Sequence, residues 1–332
     1  MSEERIVIAG AGAIGCFVGG LLAAAGHPVT LLGRERVLGP IRASGLKLTD
    51  FSGLEVRVGS GRLGLAQRPE ALEGAALVLV AVKSGATATI SAEIAAHAPQ
   101  AAPVISLQNG VGNADLLRAA LPGRDVRAAM VGFNVVPAGP AAWHRASSGD
   151  IVIEAGAGDL AARLSVPGLV VREVDDILPA QWGKLLLNLA NALNALSGIS
   201  LRDQLLDREW RRLMADQIAE ALRVLRRSGI VARPPAPVPA VLLPAILRLP
   251  TPLFTRIAER MLTIDPMART SMAYDLEDGR LTEIDHMQGA IVELAQQQGG
   301  RAPICERVAR LVHEVEAQGY RGLRKTPAEI RG

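Results

Sequence analysis

The chain is short of aromatics: three Trp, two Tyr and four Phe make up 3% of its 332 residues. Surfaces that stack nucleic-acid bases need exposed rings, so this shortage argues against one and leaves the cores to aliphatic packing. A surplus of one charge is missing as well. The formal net charge is +3, and arginine is spread along the chain without the basic block that would bind nucleic acid or anionic lipid. The two cysteines, Cys16 and Cys305, are far apart and lack metal-ligand spacing. Both are expected to be small core residues in a reducing cytoplasm, and no metal site is expected. Long hydrophobic runs are absent: residues 236–254 are apolar but carry a proline every few positions and an arginine, a poor membrane span. MSEER leads straight into a short apolar run, with no sign of a signal peptide. Neither nucleic acid nor a membrane is expected as a partner. Lysine is scarce too, with four (Lys47, Lys83, Lys184, Lys325) against 32 arginines. Only lysine offers a compact ammonium whose pKa moves readily on burial, so the places where lysine is kept are of interest.

What is present reads as two domains, residues 1–175 and 176–332. RIVIAG, PVTLLG, LVLVAV and PVISLQ are the continuous apolar runs of strands buried on both faces of a parallel sheet. Helical segments alternate with them, and further strands are expected around 126–136 and 150–155. The reading is an α/β doubly wound, Rossmann-type N-terminal domain. From about residue 176 the pattern turns all-α: a helix over 178–197, an amphipathic helix in DREWRRLMADQIAEALRVLRRSG, a Pro-rich connector at 233–252, and helices in LFTRIAERML and at 270–278, 282–298 and 303–318. The final TPAEIRG is expected to fray.

GAGAIG places Gly10, Gly12 and Gly15 in G-x-G-x-x-G between a strand and a helix. With Ala13 and Ile14 they form a dinucleotide fingerprint: a tight turn, a close backbone approach to a pyrophosphate, and close helix–strand packing at the helix's positive end. The second strand ends in Gly33-Arg34-Glu35-Arg36. A guanidinium matches a 2′-phosphate, so Arg34 favours NADP as cofactor; the alternative is two solvated arginines, with Glu35 serving NAD.

In WGKLLLNLANALNALSG the leucines surround a polar line. At about 100° per residue, Lys184, Asn188 and Asn191 share one stripe and Asn194 lies near its edge. A hydride arriving at a carbonyl carbon makes an alkoxide, and a nearby ammonium stabilises that charge and can protonate it. The stripe can be one wall of a cleft; the bland alternative is a snorkelling lysine with asparagines bonded to neighbouring backbone, which is preferred for Asn194. Asn109, in SLQNGVGN, and Lys83, in VAVKS, each follow an apolar strand, where open α/β sheets bind ligands. RTSMAYDLEDGRLTEIDHMQG supplies Ser271, Asp275, Glu283 and Asp285. Each has a structural alternative: Ser271 a cap, Glu283 a helix-start carboxylate, Lys83 a surface lysine. Asp275 is expected to be structural. His27, His97, His144, His286 and His313 form no evident set.

GAGAIG, VAVKS, SLQNGVGN, WGKLLLN and TEID, in this order along nearly the whole chain, resemble the ketopantoate reductase (2-dehydropantoate 2-reductase) family. The resemblance implies a Rossmann domain that binds NADPH and a helical domain, of the 6-phosphogluconate dehydrogenase C-terminal type, that takes a small 2-keto acid. It implies Lys184 as general acid, Glu283 holding the substrate's hydroxyl, Asn188 and Ser271 on the substrate, Asn109 at the N-G turn, and Lys83 as the second lysine. Asn191 joins the expected substrate contacts. Two positions depart from the family's pattern: Ala192 stands where an asparagine is common eight residues after the lysine, and Gln288-Gly289 where Asn-Gly is common. A related keto compound is therefore as good a substrate expectation as ketopantoate. The rival readings are a β-hydroxyacid dehydrogenase, whose Gly-rich substrate loop is not found here, and a non-catalytic NADP sensor. Helical second domains often self-associate, so a homodimer is the working expectation.

Overall fold

In β1 (Ile6–Ala9) the side chains alternate between two cores. Ile6 and Ile8 pack with Phe17 and Leu21, whereas Val7 and Ala9 pack with Ile90, Ile94 and Leu117. A strand covered on both faces needs an unbroken apolar run, which is what this stretch supplies. The structure is a computed structural model that describes residues 4–235, 238–258, 269–320, 322 and 324–332. It divides into two compact units, Met1–Ile177 and Leu178–Gly332.

The first unit runs β1, α1 (Ala13–Ala24), β2 (Val29–Leu32), α2 (Glu35–Ser44), β3 (Leu46–Asp50), β4 (Glu55–Val58), β5 (Leu63–Ala66), β6 (Leu77–Val80), α3 (Thr87–His97), β7 (Val104–Ser106), α4 (Asn113–Ala120), β8 (Val126–Val131), β9 (Val135–Gly139), β10 (Ala142–Arg145), β11 (Ile151–Glu154), α5 (Leu160–Leu164) and β12 (Val171–Val174). Its main sheet has the order β12-β11-β8-β7-β6-β1-β2-β5. Every pairing in it is parallel except that of β8 with β11. The chain leaves β1 for β2 on one side and returns to β6 on the other, so the switch point lies between β1 and β6.

A second sheet, β4-β3-β10-β9, is not what the sequence led us to expect. The apolar segment 126–136 divides between the two sheets: β8 stays in the main one and β9 turns back into the second. Helix α1 is flanked by both. A Cβ at Gly19 would lie 2.8 Å from Leu31, and one at Gly20 would lie 2.5 Å from Leu46 of the second sheet. The small residues of α1 are thus a packing requirement on two sides. Asp50 pairs with Arg145, which also donates to Gly168 O at 2.8 Å and lies near the rings of Phe17 and Phe133.

The second unit is helical: α6 (Leu178–Asn188), α7 (Ala190–Ser197), α8 (Leu201–Leu206), α9 (Arg208–Arg227), α10 (Leu243–Arg248), α11 (Thr251–Ile257), α12 (Ser271–Glu277), α13 (Ala290–Gln297), α14 (Pro303–Gln318) and α15 (Pro327–Arg331). The expected helix in LFTRIAERML is seen as far as α11; its remainder lies outside the described residues. Asp207 caps α9, its Oδ1 accepting from Glu209 N at 2.7 Å and Trp210 N at 3.2 Å. The buried Arg211 organises the connector that follows. It donates to the carbonyls of Leu205, Leu206, Leu247 and Leu249 and to Thr251, with its guanidinium 4.3 Å from the Phe254 ring centroid.

Two expectations are corrected. The helix over 178–197 is interrupted at one residue, Leu189, between α6 and α7, although the Leu189 backbone keeps helical angles (φ −56°, ψ −29°). TPAEIRG does not fray. Thr326 and Glu329 form a capping box, and Ile330 is buried at 1% exposure against the helical core. Among the described residues, no helix is long and apolar enough to cross a membrane, and no group of metal-binding side chains occurs. Both cysteines are buried, and burial pushes the Cys16 thiol up to about 12.

Candidate active site

In the first unit the glycine turn leaves β1 with Gly10 at φ +119°, where a Cβ would meet the Ala81 backbone at 2.6 Å. A Cβ at Gly15 would lie 2.0 Å from Gly10 O. Gly12 differs: its φ of −86° suits any residue, and nothing lies nearer to its would-be Cβ than Ala81 O at 3.9 Å. Helix α1 opens at Gly12 with no side-chain cap and no acid in its first turn. Its first N–H groups, at Ala13, Ile14 and Gly15, therefore form an uncapped positive end, the arrangement that suits a phosphate. Gly33 was not singled out from the sequence. A Cβ there would strike Ala11 Cβ at 2.4 Å, so it keeps the end of β2 against the turn.

Arg34 follows as the exposed N-cap of α2. Among the described residues neither the Arg34 nor the Arg36 side chain makes a hydrogen bond or ion pair, whereas the Glu35 carboxylate is engaged, accepting from Arg42 at 2.6 Å and Gln67 at 2.8 Å. The residues present thus fit a dinucleotide carrying a 2′-phosphate. Lys83 stands exposed beyond β6, and Asn109 half-buried beyond β7. The loops bearing them are laced together by buried polar side chains. Asn113 Nδ2 donates to Asn109 O at 2.8 Å and to Ser84 Oγ at 3.0 Å, and Thr87 donates to Asn113 Oδ1 at 3.1 Å. Gln108 donates to Thr87 at 2.8 Å and accepts from Ser106 at 3.0 Å. Sequence reading missed these partners. Their signal was a run of polar residues where apolar strand ends are expected.

In the second unit Lys184 lies on α6, one turn before Asn188. Its neighbour Gly183 explains itself: a Cβ there would lie 2.1 Å from the Arg233 backbone, so the connector crosses α6 beside the lysine, with Arg233 N on Pro179 O at 2.7 Å. Burial pushes the Lys184 ammonium down to about 8, and the charge of Glu283 opposes that fall. The structure therefore brings Lys184 and Glu283 together from segments a hundred residues apart. Glu283 is half-buried and lies two residues before the start of a π-turn, Asp285–Gly289. Asn188 and Asn191 are half-buried, but they sit on opposite sides of the break at Leu189 rather than along one regular helix. Thr270, not Ser271, is the N-cap of α12, and Ser271 is exposed in its first turn. Asn194 is a buried structural knot: it donates to Ile199 O and Gln204 at 3.1 Å each and accepts from Thr270 N at 3.1 Å. Asp275 accepts from Arg280 at 3.0 Å. His313 bridges Asp285 and Glu316 at 2.9 and 3.0 Å, which holds it above the usual histidine range despite its partial burial. Ala192 and Gln288, the two departures from the family pattern, are both fully buried in this unit.

The ketopantoate reductase PanE/ApbA family matches over residues 6–158, and its C-terminal part over residues 176–316. The chain belongs to the ketopantoate reductase family. It is an oxidoreductase of the 2-dehydropantoate 2-reductase kind. The 2-dehydropantoate 2-reductase of Halobacterium salinarum is 27% identical over 324 residues, covering 95% of this chain and all of that one. The crystal structure of a PanE/ApbA family ketopantoate reductase from Ralstonia eutropha JMP134 superimposes with a TM-score of 0.80 at 34% identity, covering 95% of this chain and 99% of that one. That of 2-dehydropantoate 2-reductase from Geobacter metallireducens GS-15 gives 0.77 at 25% identity, covering 93% and 99%. A Rossmann-like unit followed by a helical one is thus the fold of this family.

Proposed function

We propose that the protein reduces a small 2-keto acid with NADPH, with Lys184 as the general acid. The observation that carries this reading is the half-buried lysine on α6, its ammonium pushed down to about 8 and opposed by the carboxylate of Glu283. A proton donor works best with a pKa near the working pH. Gly10, Gly12, Ala13, Ile14 and Gly15 hold the pyrophosphate, Arg34 takes the 2′-phosphate, and Lys83 and Asn109 contact the cofactor. When bound, the cofactor supplies a hydride to the carbonyl carbon. The electron pair of the C=O bond falls on oxygen, and Lys184 Nζ gives that oxygen a proton, to be replaced from solvent. Glu283 helps to keep the lysine charged and accepts a hydrogen bond from a substrate hydroxyl. Asn188, Asn191, Ser271 and the Asn109 side chain orient the substrate. Membership of the family favours ketopantoate or a close relative over the substrates of β-hydroxyacid dehydrogenases. A homodimer is part of the same reading, checked by sedimentation.

The test is NADPH oxidation over a panel of 2-keto acids that includes ketopantoate, alongside NADPH affinity. Wild type is expected to turn over at least one of them. Lys184→Ala is expected to bind NADPH as before while kcat falls about 10²- to 10⁴-fold. A wild-type protein that binds NADPH and reduces no keto acid sinks the proposal.

A further inference from the structure

Gln288 is fully buried within the π-turn, and its Nε2 donates to Leu189 O at 2.9 Å. Leu189 is the residue at which the lysine-bearing helix breaks. Gln288 lies five residues after Glu283, and Leu189 five after Lys184, so one hydrogen bond ties together the two segments that carry the charged pair. The carboxamide's other end gains nothing: Oε1 is buried and meets no donor among the described residues. A buried unsatisfied carbonyl costs about 1–3 kcal/mol, and a methionine or leucine of similar size would avoid that cost. Packing alone therefore does not account for a glutamine here. The break is held on its far side as well, where Thr270 Oγ1 donates to Asn191 O at 3.1 Å. A π-turn is a local expansion frequent at functional sites, and this one begins two residues after Glu283 and contains the tie.

The geometry points to Gln288 as a positioning residue: its bond to the Leu189 carbonyl fixes the spacing between Glu283 and Lys184. The inference rests on the proposed role of Lys184. Among the described residues, several other charged groups lie on the elements around α6, and Arg233, whose backbone crosses Gly183, adds a cation beside the lysine. Helix α7 carries none. On α9, Glu220 accepts from Ile304 N and Cys305 N, and Arg211 is spent on carbonyls. In the π-turn, Asp285 pairs with His313, and His286 is half-buried. Burial is the main cause of the fall in the Lys184 pKa, and Glu283 is the charge that opposes it.

With only four lysines, the side-chain methylene resonances of Lys184 can be assigned by comparison with Lys184→Arg and titrated in the whole protein. Gln288→Met removes the donor while filling the space. It is expected to keep its melting temperature, because the unsatisfied oxygen goes too. The Lys184 titration is expected to move down by about half a pH unit or more as Glu283 drifts away. Turnover at pH 8 should fall about ten-fold, with the cofactor KM changed less than about two-fold. Gln288→Asn, which retracts the amide by one methylene, should shift the titration less, and it serves if the methionine variant does not fold. An unmoved Lys184 titration in the folded variant overturns the inference. A titration that moves while keto-acid reduction does not follow leaves the tie standing and removes the acid role of Lys184 instead.

Discussion

At Gly10 a single methyl group would land 2.6 Å from the backbone just beyond a neighbouring strand; at Lys184 a four-carbon stem and its charge are kept half-buried on an otherwise uncharged helix. The first unit leaves side chains out of its turn, so that N–H groups and the positive end of α1 are presented without a cap. The second works by keeping one ionisable side chain where it is costly to keep, with a carboxylate to restrain its pKa. The contrast teaches where each unit is fragile. Glycines of the turn are sensitive to volume, and the lysine is sensitive to distance and charge.

The largest effect is expected from Gly10→Ala. It meets a left-handed φ and a backbone clash together, at a combined cost of about 3 kcal/mol or more. Thermal unfolding should show the first unit lost at lower temperature, and NADPH binding lost with it. Gly12→Ala is the sharpening control: its backbone and surroundings accept a methyl, so the melting temperature should hold while NADPH affinity falls. Equal loss of stability in both variants would erase the distinction between the folding glycine and the ligand glycine.

In the second unit, Glu283→Gln keeps shape and removes charge. A proton donor must be protonated, so wild-type activity is expected below about pH 8 and lost as pH rises through it. Without the carboxylate the Lys184 pKa falls further, so the basic limb moves to lower pH. Near pH 8, kcat/KM should drop about 100-fold. A basic limb that stays in place would mean that Glu283 does not govern the lysine.

The glycine fingerprint, the strands and the polar stripe were legible in the sequence because each is a local pattern with its own period. The second sheet was not. Its strands are four or five residues long, β9 and much of β4 are only partly buried, and β3 finds β10 across some 95 positions. Nothing in LLLNLANALN, which has neither Pro nor Gly, announces the break at Leu189; the donors that hold it, Gln288 and Thr270, come from 99 and 79 residues away. Thr326-Pro-Ala-Glu329 was a readable capping box that terminal position masked. Gly33 and Gly183 escaped because a close approach shows only once the partner backbone is in place.

Arg34 tests the ligand side of the first unit more finely. Arg34→Ala should weaken NADPH binding by about ten- to a hundred-fold, the worth of one charge-assisted contact, and leave NADH binding nearly unchanged. Equal weakening of both cofactors would place the guanidinium on a group the two share.

The smallest effect is expected one residue further on. Glu35 points its carboxylate at Arg42 and Gln67, all three exposed. Such surface pairs contribute about 0–1 kcal/mol, so Glu35→Gln should barely alter stability. If the acid takes no part in ribose recognition, the ratio of NADPH to NADH affinity should also stay within about two-fold. A selective loss of NADH affinity would show the carboxylate leaving Arg42 to accept from a ribose 2′-OH. Arg34 would then be a solvated neighbour, and the first unit, like the second, would depend on a carboxylate.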